Sequence, residues 1–350
     1  MLALTTLHGN ITDSNLKFIG NNEALNIAKL ISKKFDIDVL TCKQCSGCIT
    51  VDENYDINKY DKLLIVNGSL NMYGGKEIET ATVIYKLLHN FNGQIYYILT
   101  DTSMPFIDYY NFIKSKSWAK KYNEDDFKLK NDIIILSQFN NFDYIKKLHK
   151  NINIKDIKYI PFALWKIELL DNIEDDYYTI KDCDLVYGGS FRSGKRSKKM
   201  FEYFFNRSSL NVKCFGTLEE NQFSKFKYFK SPSFVGKVSV EDVINMNNSG
   251  LATIIIGDPE YNNHTVTLRV YESLLSDAIV FIDNDFDPLH KILNDDWLYV
   301  YNGRDLENKI NQLKNDNSLY NKYRNNQKNI LRSILNKNIL LNNLYEVLND

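Results

Sequence analysis

The fold is decided by the stretch Leu185-Val186-Tyr187-Gly188-Gly189-Ser190-Phe191-Arg192-Ser193-Gly194-Lys195-Arg196. A short apolar run, typical of a buried β-strand, passes into a glycine-rich turn and then into basic residues that open a helical pattern. Strand, turn and helix in this order are typical of a parallel α/β sheet, and the backbone N–H groups at the start of such a helix can face an anion. The stretch therefore predicts a phosphate-binding turn at the edge of a parallel sheet.

Short apolar runs and helical patterns alternate through both halves of the chain. The first half shows this alternation up to residue 137, and the second half restarts it near Asp182. Helical crossovers between short strands predict parallel sheets with sites at the carboxyl ends of the strands. We predict two Rossmann-like α/β domains that face a central cleft: residues 1–166 and 182–330, joined by an acidic linker at 167–181. A C-terminal helix at 331–350 is expected to pack back on the first domain.

The composition excludes several classes of protein. The 350 residues include 43 Lys and Arg against 44 Asp and Glu, so the chain is not a polycation that coats nucleic acid through bulk charge. Five cysteines are too few for a disulfide-stapled scaffold, which favours a reducing, cytoplasmic location. No signal peptide pattern opens the sequence and no run is long enough to span a membrane, so we expect no membrane contact. We also expect the protein to be a monomer.

Two other interpretations of the glycine-rich stretch remain open at this point. Residues 189–195 match the G-x-x-x-x-G-K core of an ATP-binding P-loop, but Arg196 stands where that motif needs a Ser or Thr for Mg²⁺. A plain glycine turn with solvated basic residues also fits the pattern. Arg192 and Arg196 can each contact phosphate oxygens through a forked guanidinium, which favours a phosphate site of another kind.

A second cluster follows the apolar run that ends at Ile256. Asp258 and Tyr261 come next, and Arg269 and Glu272 are three residues apart in a helical pattern, so their side chains share a face. An arginine there can contact a diphosphate while a carboxylate accepts hydrogen bonds from ribose hydroxyls. Taken alone, however, this spacing is more often an exposed ion pair on a solvated helix face.

Together these segments resemble the DNA β-glucosyltransferases of T-even bacteriophages. The resemblance runs nearly end to end with matching spacing, and its segments beyond the stretch 185–196 are 66–67, 74–76, 95–101, 105–106, 255–258, 268–270, 276–278 and 286–287. It implies a GT-B fold and the transfer of glucose, with inversion, from UDP-glucose to 5-hydroxymethylcytosine in duplex DNA. It also implies that a divalent cation, Mg²⁺ or Mn²⁺, assists the release of UDP.

The resemblance also assigns a donor site. The residues that it places at the UDP-sugar are Gly189, Ser190, Arg192, Arg196, Val238, Tyr261, Arg269 and Glu272. Glycine, serine and arginines would hold the diphosphate, Glu272 the ribose, and backbone groups of Val238 the uracil, with Asp258 as a possible metal ligand. The chemistry needs such a set, because the leaving diphosphate gathers negative charge that arginines stabilise.

For the acceptor, the resemblance places the general base at Asp101 and a second essential carboxylate at Glu23. A primary hydroxyl is a poor nucleophile, so a carboxylate at the end of a strand must accept its proton during attack. Without the resemblance, Asp101 would be an ordinary turn aspartate and Glu23 an ordinary first-turn helix glutamate.

Duplex DNA with a hydroxymethylated base is the expected acceptor, and a buried base must be flipped out to reach a deep cleft. The family's loop before Gly74 fills the gap, and this chain offers Asn71 and Tyr73 there, with Lys76 beside them. Residues 192–237 hold eleven basic and three acidic side chains, an excess of eight positive charges. That segment can face phosphates, although a solvated edge explains it equally well.

Two departures from the family leave alternatives open. Ala163 stands where the family has a carboxylate, so a transferase for another sugar, another hydroxylated base or a non-DNA acceptor is possible, as is an inactive DNA- or nucleotide-binding protein. Cys42, Cys45 and Cys48 have C-x-x-C-x-x-C spacing, which can begin a metal or iron–sulfur site. The fourth ligand is missing nearby, so a bound metal there is the less favoured interpretation.

Overall fold

Short apolar runs form the buried strands of the molecule. Lys62–Val66 and Ile133–Ser137 are almost continuous stretches of leucine, isoleucine and valine, and nearly every residue in them is buried. A strand covered on both faces needs apolar side chains at successive positions, and such continuous apolar runs are typical of strands in parallel sheets. The sequence pattern therefore places these strands in the centre of a sheet rather than on a solvated face.

The structure is a computed structural model of the chain. It describes residues 1–7, 9, 11, 19–66, 77–99, 108–137, 141–160, 181–189, 191, 196–216, 230–239, 242–257, 267–333 and 336–349, with the backbone alone at 19–23, 77 and 268. The chain divides into two units: Met1–Ile167 with Asn338–Asp350, and Glu168–Lys337.

In the described part of the first unit, seven strands form one parallel sheet in the order β3-β2-β1-β4-β5-β6-β7. The strands are β1 Leu2–Thr6, β2 Ile37–Thr41, β3 Ile49–Thr50, β4 Lys62–Val66, β5 Gln94–Leu99, β6 Ile133–Ser137 and β7 Ile154–Tyr159. The helices between them are α1 Ile19–Ile31, α2 Glu77–Asn90, α3 Tyr109–Ile113 and α4 Phe142–Leu148. The strand order reverses between β1 and β4, and ligands of open α/β sheets bind at the carboxyl ends of strands at such a point.

The described part of the second unit repeats this plan with six parallel strands in the order β10-β9-β8-β11-β12-β13. The strands are β8 Cys183–Gly188, β9 Val212–Phe215, β10 Ser233–Phe234, β11 Gly250–Ile255, β12 Ile279–Asp283 and β13 Tyr299–Val300. The helices are α5 Ser197–Phe204, α6 Val243–Asn248, α7 Leu268–Leu274, α8 Gly303–Asn315 and α9 Asn317–Ser333. Here the order reverses between β8 and β11, so the glycine turn after β8 lies at the point where a ligand is expected.

The last helix, α10 (Lys337–Asn349), packs on the first unit although it follows the second in sequence. The Tyr345 hydroxyl donates to the Leu30 carbonyl over 3.0 Å, and the Tyr345 ring lies 5.9 Å from that of Phe35. Lys62 Nζ donates to the Leu348 carbonyl over 2.5 Å. These contacts tie the end of the chain to α1 and β4.

The predicted fold class, two parallel-sheet α/β domains, is confirmed. The sequence pattern missed β3, β7, β10 and β13, because β7 is an edge strand that carries three charged residues and the other three strands have only two residues each. Helix α1 begins at Ile19, so Glu23 lies in its second turn and the first-turn interpretation of that glutamate is wrong. Within the described ranges, every helix is too short or too polar to span a bilayer.

Candidate active site

At the carboxyl ends of the strands in the second sheet, glycine residues make close backbone contacts between neighbouring turns. The Gly189 N–H donates to the Phe215 carbonyl over 2.8 Å, and the Gly216 N–H donates to the Gly236 carbonyl over 2.7 Å. Gly216 has a φ of +134°, and a Cβ there would lie 2.1 Å from the Gly189 carbonyl oxygen. Only glycine fits this position. The turns after β8, β9 and β10 are thereby held together as one tightly packed backbone surface.

Tyr187, which directly precedes Gly188 and Gly189 in the chain, connects this backbone surface to Arg269. The Tyr187 ring is fully buried between Phe191 and Phe204, whose ring centroids lie 5.7 Å and 4.5 Å away. The guanidinium carbon of Arg269 lies 5.4 Å from the centroid of the same ring. Since an arginine over an aromatic face is attracted by the ring's quadrupole, Tyr187 holds the Arg269 side chain next to the glycine turn.

Glu272 lies one turn after Arg269 on α7 and is only 7% exposed. The interpretation of Arg269 and Glu272 as a solvated surface pair is therefore wrong for Glu272, and Arg269 contacts an aromatic ring. A buried carboxylate needs hydrogen-bond donors around it. On α7, the helix that follows β11 in sequence, Glu272 suits a group that accepts hydrogen bonds from a polar ligand.

The side chain and the backbone of Val238 have different surroundings. The side chain packs against a buried cluster of Cys183, Val186 and Phe215, together with two residues of α6. Among the residues that the structure describes, no hydrogen bond joins the Val238 backbone to another residue. A half-buried side chain that packs against the core, with backbone polar atoms that make no hydrogen bond to the described residues, suits recognition of a base edge by the backbone.

Arg196 lies directly before α5 and is half-buried. One turn further on, Lys199 Nζ lies 3.1 Å from Asp283 Oδ2 and 2.9 Å from Asp285 Oδ2, at the carboxyl end of β12. Burial raises the pKa of the Asp283 carboxyl, and the ion pair with Lys199 opposes this shift. The pair ties the first turn of α5 to the sheet edge and so fixes the backbone that carries Arg196.

Several residues of the predicted site lie outside the described residues, namely Asn71, Tyr73, Lys76, Asp101, Ser190, Arg192, Asp258 and Tyr261. For Glu23 the structure gives the backbone only. Strand β5 ends at Leu99, two residues before Asp101, and β4 ends at Val66 ahead of the predicted DNA loop. Both positions follow neighbouring strands of the first sheet, where parallel strands present their carboxyl ends.

The three closely spaced cysteines are free thiols. Cys42 Sγ donates to the Thr80 carbonyl over 3.6 Å, and burial raises the pKa of this thiol to about 12. In the described part of the chain, no group of three or more His, Cys, Asp or Glu side chains could hold a metal ion. Cys42, Cys45 and Cys48 therefore form no metal site with the described residues.

The positive charge counted between residues 192 and 237 is partly neutralised inside the second unit. Lys199 pairs with Asp283 and Asp285, Lys213 Nζ lies 2.6 Å from Asp182 Oδ2, and Arg207 lies 3.5 Å from Glu307. The partners of these three cations all lie outside the counted segment. The excess of eight charges is thus not the charge of one surface, which weakens it as an indication of phosphate binding.

Sequence reasoning missed Gly216 and Gly236, which complete the backbone surface, and it used Tyr187 only as part of a strand. Both glycines have a positive φ, and they follow short strands: Gly216 directly after β9 and Gly236 two residues after β10. A glycine directly after a predicted strand is a usable signal for such turns. For Tyr187 the sequence offers no signal beyond its place before the glycine pair.

Comparison with known proteins places this geometry in a family. The family model of bacteriophage T4 beta-glucosyltransferase matches residues 2–166. The DNA beta-glucosyltransferase of Enterobacteria phage T4 is 35% identical over 340 residues, which is 96% of this chain and 94% of that protein.

Two solved structures of the T4 phage enzyme are similar along the whole chain. The complex with UDP and Mn²⁺ has a TM-score of 0.82 and 33% identity, and covers 99% of this chain and 98% of that one. An Asp→Ala variant in complex with UDP-glucose has a TM-score of 0.83 at the same identity and the same coverage. The predicted family, the GT-B fold and the enzyme class are confirmed, and UDP-glucose and a divalent cation both occur in structures of this relative. The chain therefore belongs to the bacteriophage T4 DNA β-glucosyltransferase family of UDP-sugar-dependent glycosyltransferases.

Proposed function

We propose that this protein transfers glucose from UDP-glucose to the hydroxymethyl group of 5-hydroxymethylcytosine in duplex DNA, with inversion at the anomeric carbon. The observation that carries the proposal is the match to a DNA beta-glucosyltransferase over 96% of the chain. The glycine-lined edge of the second sheet adds support, because closely packed backbone beside an arginine suits a diphosphate.

In this proposal the second unit binds the donor. Gly189, Ser190, Arg192, Arg196 and Arg269 hold the diphosphate, while Tyr261 and the buried Glu272 lie at the nucleoside, with Glu272 accepting hydrogen bonds from the ribose hydroxyls. The Val238 backbone reads the uracil edge. Arginines aimed at the diphosphate favour the reaction, since negative charge grows there as the bond to the sugar breaks.

The first unit supplies the base and holds the acceptor. Asp101 accepts the proton of the hydroxymethyl group as its oxygen attacks C1 of glucose from the face opposite UDP, and the C1–oxygen bond to UDP breaks. Glu23 is the second carboxylate of this unit. Asn71 and Tyr73 fill the gap that the flipped base leaves in the duplex, and Lys76 contacts phosphate.

A divalent cation would reach this site with the donor. The described residues hold no complete metal site, and diphosphate oxygens are themselves ligands that Mg²⁺ and Mn²⁺ prefer. One or two protein carboxylates are then sufficient, and Asp258 is the candidate. A cation held in this way would stabilise the charge of UDP as it leaves.

The experiment is a transfer assay that varies both substrates. UDP-glucose, UDP-galactose and UDP-N-acetylglucosamine are each incubated with duplexes that contain cytosine, 5-hydroxymethylcytosine or 5-hydroxymethyluracil, and mass spectrometry of the nucleosides reports the product. We expect one hexose on 5-hydroxymethylcytosine with UDP-glucose, and β-configured sugar by NMR. Transfer from another sugar nucleotide or to 5-hydroxymethyluracil would show the neighbouring activity that Ala163 leaves open, and no transfer with any pair would contradict the proposal.

The same assay tests base flipping with a mismatch. A hydroxymethylated base opposite a mismatch is already partly unpaired, so it should bind more tightly than the same base in a perfect duplex. Tyr73→Ala should reduce transfer to the perfect duplex more than to the mismatched one, because a plug matters only where an intact stack must be held open. Equal losses on the two duplexes would count against flipping.

A further inference from the structure

Tyr187 is a buried tyrosine whose hydroxyl forms no hydrogen bond within the described part of the chain. Its side chain is 0% exposed, and its hydroxyl has no hydrogen-bond partner among the residues that the structure describes. Buried hydroxyls are nearly always hydrogen-bonded. A buried hydroxyl without a described partner beside a candidate ligand site is therefore expected to form its hydrogen bond with the ligand.

The position of this hydroxyl is defined by Gly189. A Cβ built on Gly189 would lie 2.9 Å from the Tyr187 hydroxyl oxygen and 3.0 Å from the neighbouring ring carbon. The hydroxyl therefore occupies the space that any other residue at 189 would fill with its side chain. It lies against the backbone surface that Gly189, Phe215 and Gly216 form at the carboxyl edge of the sheet.

The ring contacts of Tyr187 in the described part of the chain are with two phenylalanines and one arginine. Phe191 and Phe204 cover the ring, and the Arg269 guanidinium lies over it at 5.4 Å. A phenol beside a cation and a glycine-lined backbone faces the kind of site that an anionic oxygen occupies. A phosphate oxygen there could accept from the hydroxyl and contact the guanidinium together.

We propose that Tyr187 is a further donor-binding residue, whose hydroxyl donates a hydrogen bond to the diphosphate of the sugar nucleotide while its ring positions Arg269. The inference rests on the proposed function, because it requires the diphosphate to lie on the Gly189 turn. Tyr187 thereby joins the two halves of the phosphate site, the turn after β8 and the first turn of α7.

Tyr187→Phe isolates the hydroxyl, because phenylalanine keeps the ring, its packing and its contact with Arg269. The UDP dissociation constant, measured by isothermal titration, should rise about 10- to 100-fold, as expected for a lost hydrogen bond to a charged group. Affinity for uridine, which lacks phosphate, should stay within about twofold of wild type. The melting temperature without ligand should be unchanged or higher, since the described residues form no hydrogen bond with this hydroxyl that could be lost.

Tyr299→Phe is the matched control. Its hydroxyl donates to Asp287 over 2.7 Å and accepts from the Leu293 N–H over 2.9 Å, so its loss should lower the melting temperature and leave UDP affinity unchanged. Tyr187→Leu also removes the aromatic platform, so it should weaken UDP binding more than Tyr187→Phe does.

The outcomes separate the inference from the proposed function. Wild-type protein that binds UDP with Tyr187→Phe of equal affinity would overturn the inference alone, and would show that the hydroxyl serves packing or a water. Wild-type protein that binds no UDP would overturn the donor site itself. Equal weakening of UDP binding and uridine binding by Tyr187→Phe would also overturn the inference, because the loss of a contact to the diphosphate cannot weaken the binding of uridine.

Discussion

The two ends of the second sheet satisfy their polar groups in different ways. At the amino end, carboxylates pair with cations of the same unit: Asp182 with Lys213, and Asp277 with Arg324 at 2.9 Å. The carboxyl end also has an ion pair, that of Lys199 with Asp283 and Asp285, but there Arg269 rests on an aromatic ring whose hydroxyl has no partner among the described residues. One end is built for stability, and the other offers groups to an anionic ligand, as parallel α/β sheets generally do.

This difference predicts how substitutions at the two ends of the strands should act. Substitutions at the carboxyl ends should change substrate binding or turnover with little change in stability, and substitutions at the amino ends should do the reverse. The first unit follows the same rule in our proposal, because Asp101 follows the carboxyl end of β5. His149, directly after α4, lies towards the amino ends of that sheet.

The largest expected effect is that of Asp101→Ala. A general base contributes about 10²- to 10⁴-fold to the rate, so transfer to a hydroxymethylated duplex should fall by that factor. UDP affinity and the melting temperature should remain close to those of wild type, because the proposed role is to accept the acceptor's proton. Rate measurements with titration of UDP test this. Normal turnover would remove Asp101 as the base, and lost UDP affinity would move it to the donor site.

Asp277→Asn should give the largest loss of stability at the amino end. The Asp277 side chain is 4% exposed and receives two nitrogen contacts from Arg324, which is itself 12% exposed. Breaking a buried ion pair on one side lowers the free energy of unfolding by about 3–5 kcal/mol.

Asp182→Asn is the exposed counterpart of this change. The Asp182 side chain is 54% exposed where it pairs with Lys213, so its loss should lower the free energy of unfolding by less than about 1 kcal/mol. Urea unfolding compares the two variants, and UDP affinity of the folded proteins should match wild type in both. A weak effect of Asp277→Asn would contradict the assignment of this end to stability.

Acid should destabilise the first unit through His149. Burial lowers the pKa of this imidazole from 6.5 to about 4, and its ring contacts Tyr97 edge-on. Below pH 6.5 the unfolded chain takes up a proton that the folded unit binds only near pH 4. The free energy of unfolding should therefore fall by about 3 kcal/mol across this window and show no contribution from His149 above it.

The control for this titration is His149→Phe, which keeps an aromatic ring at the site. Other groups also titrate in acid, so the informative quantity is the difference between the two proteins in their stability against pH. We expect the variant to lose less stability than wild type between pH 6.5 and about pH 4. Parallel curves would mean that the buried ring is not a source of acid sensitivity.

Sequence alone predicted the features that depend on residues adjacent in the chain. The run Leu185–Val186–Tyr187 before two glycines predicts a strand that ends there, and the structure contains it as β8. The role of Gly216 depends on its approach to Gly189, and no local pattern shows that two turns touch. For the same reason the charge count misled, since the acid that neutralises Lys199 lies eighty-four residues away.

The prediction that most directly tests the carboxyl end is that of Arg269→Ala. A lost charge-assisted contact to the diphosphate should weaken UDP binding by about 1.5–3 kcal/mol. Stability should change little, because a cation–π contact of a partly exposed arginine contributes only about 0.5–1 kcal/mol. Arg324→Ala is the matched arginine at the amino end, and it should lower stability while UDP affinity stays the same. If both arginines affected stability alone, the phosphate site would not lie at Arg269, and ATP binding of similar strength to UDP would instead favour the P-loop interpretation of residues 189–195.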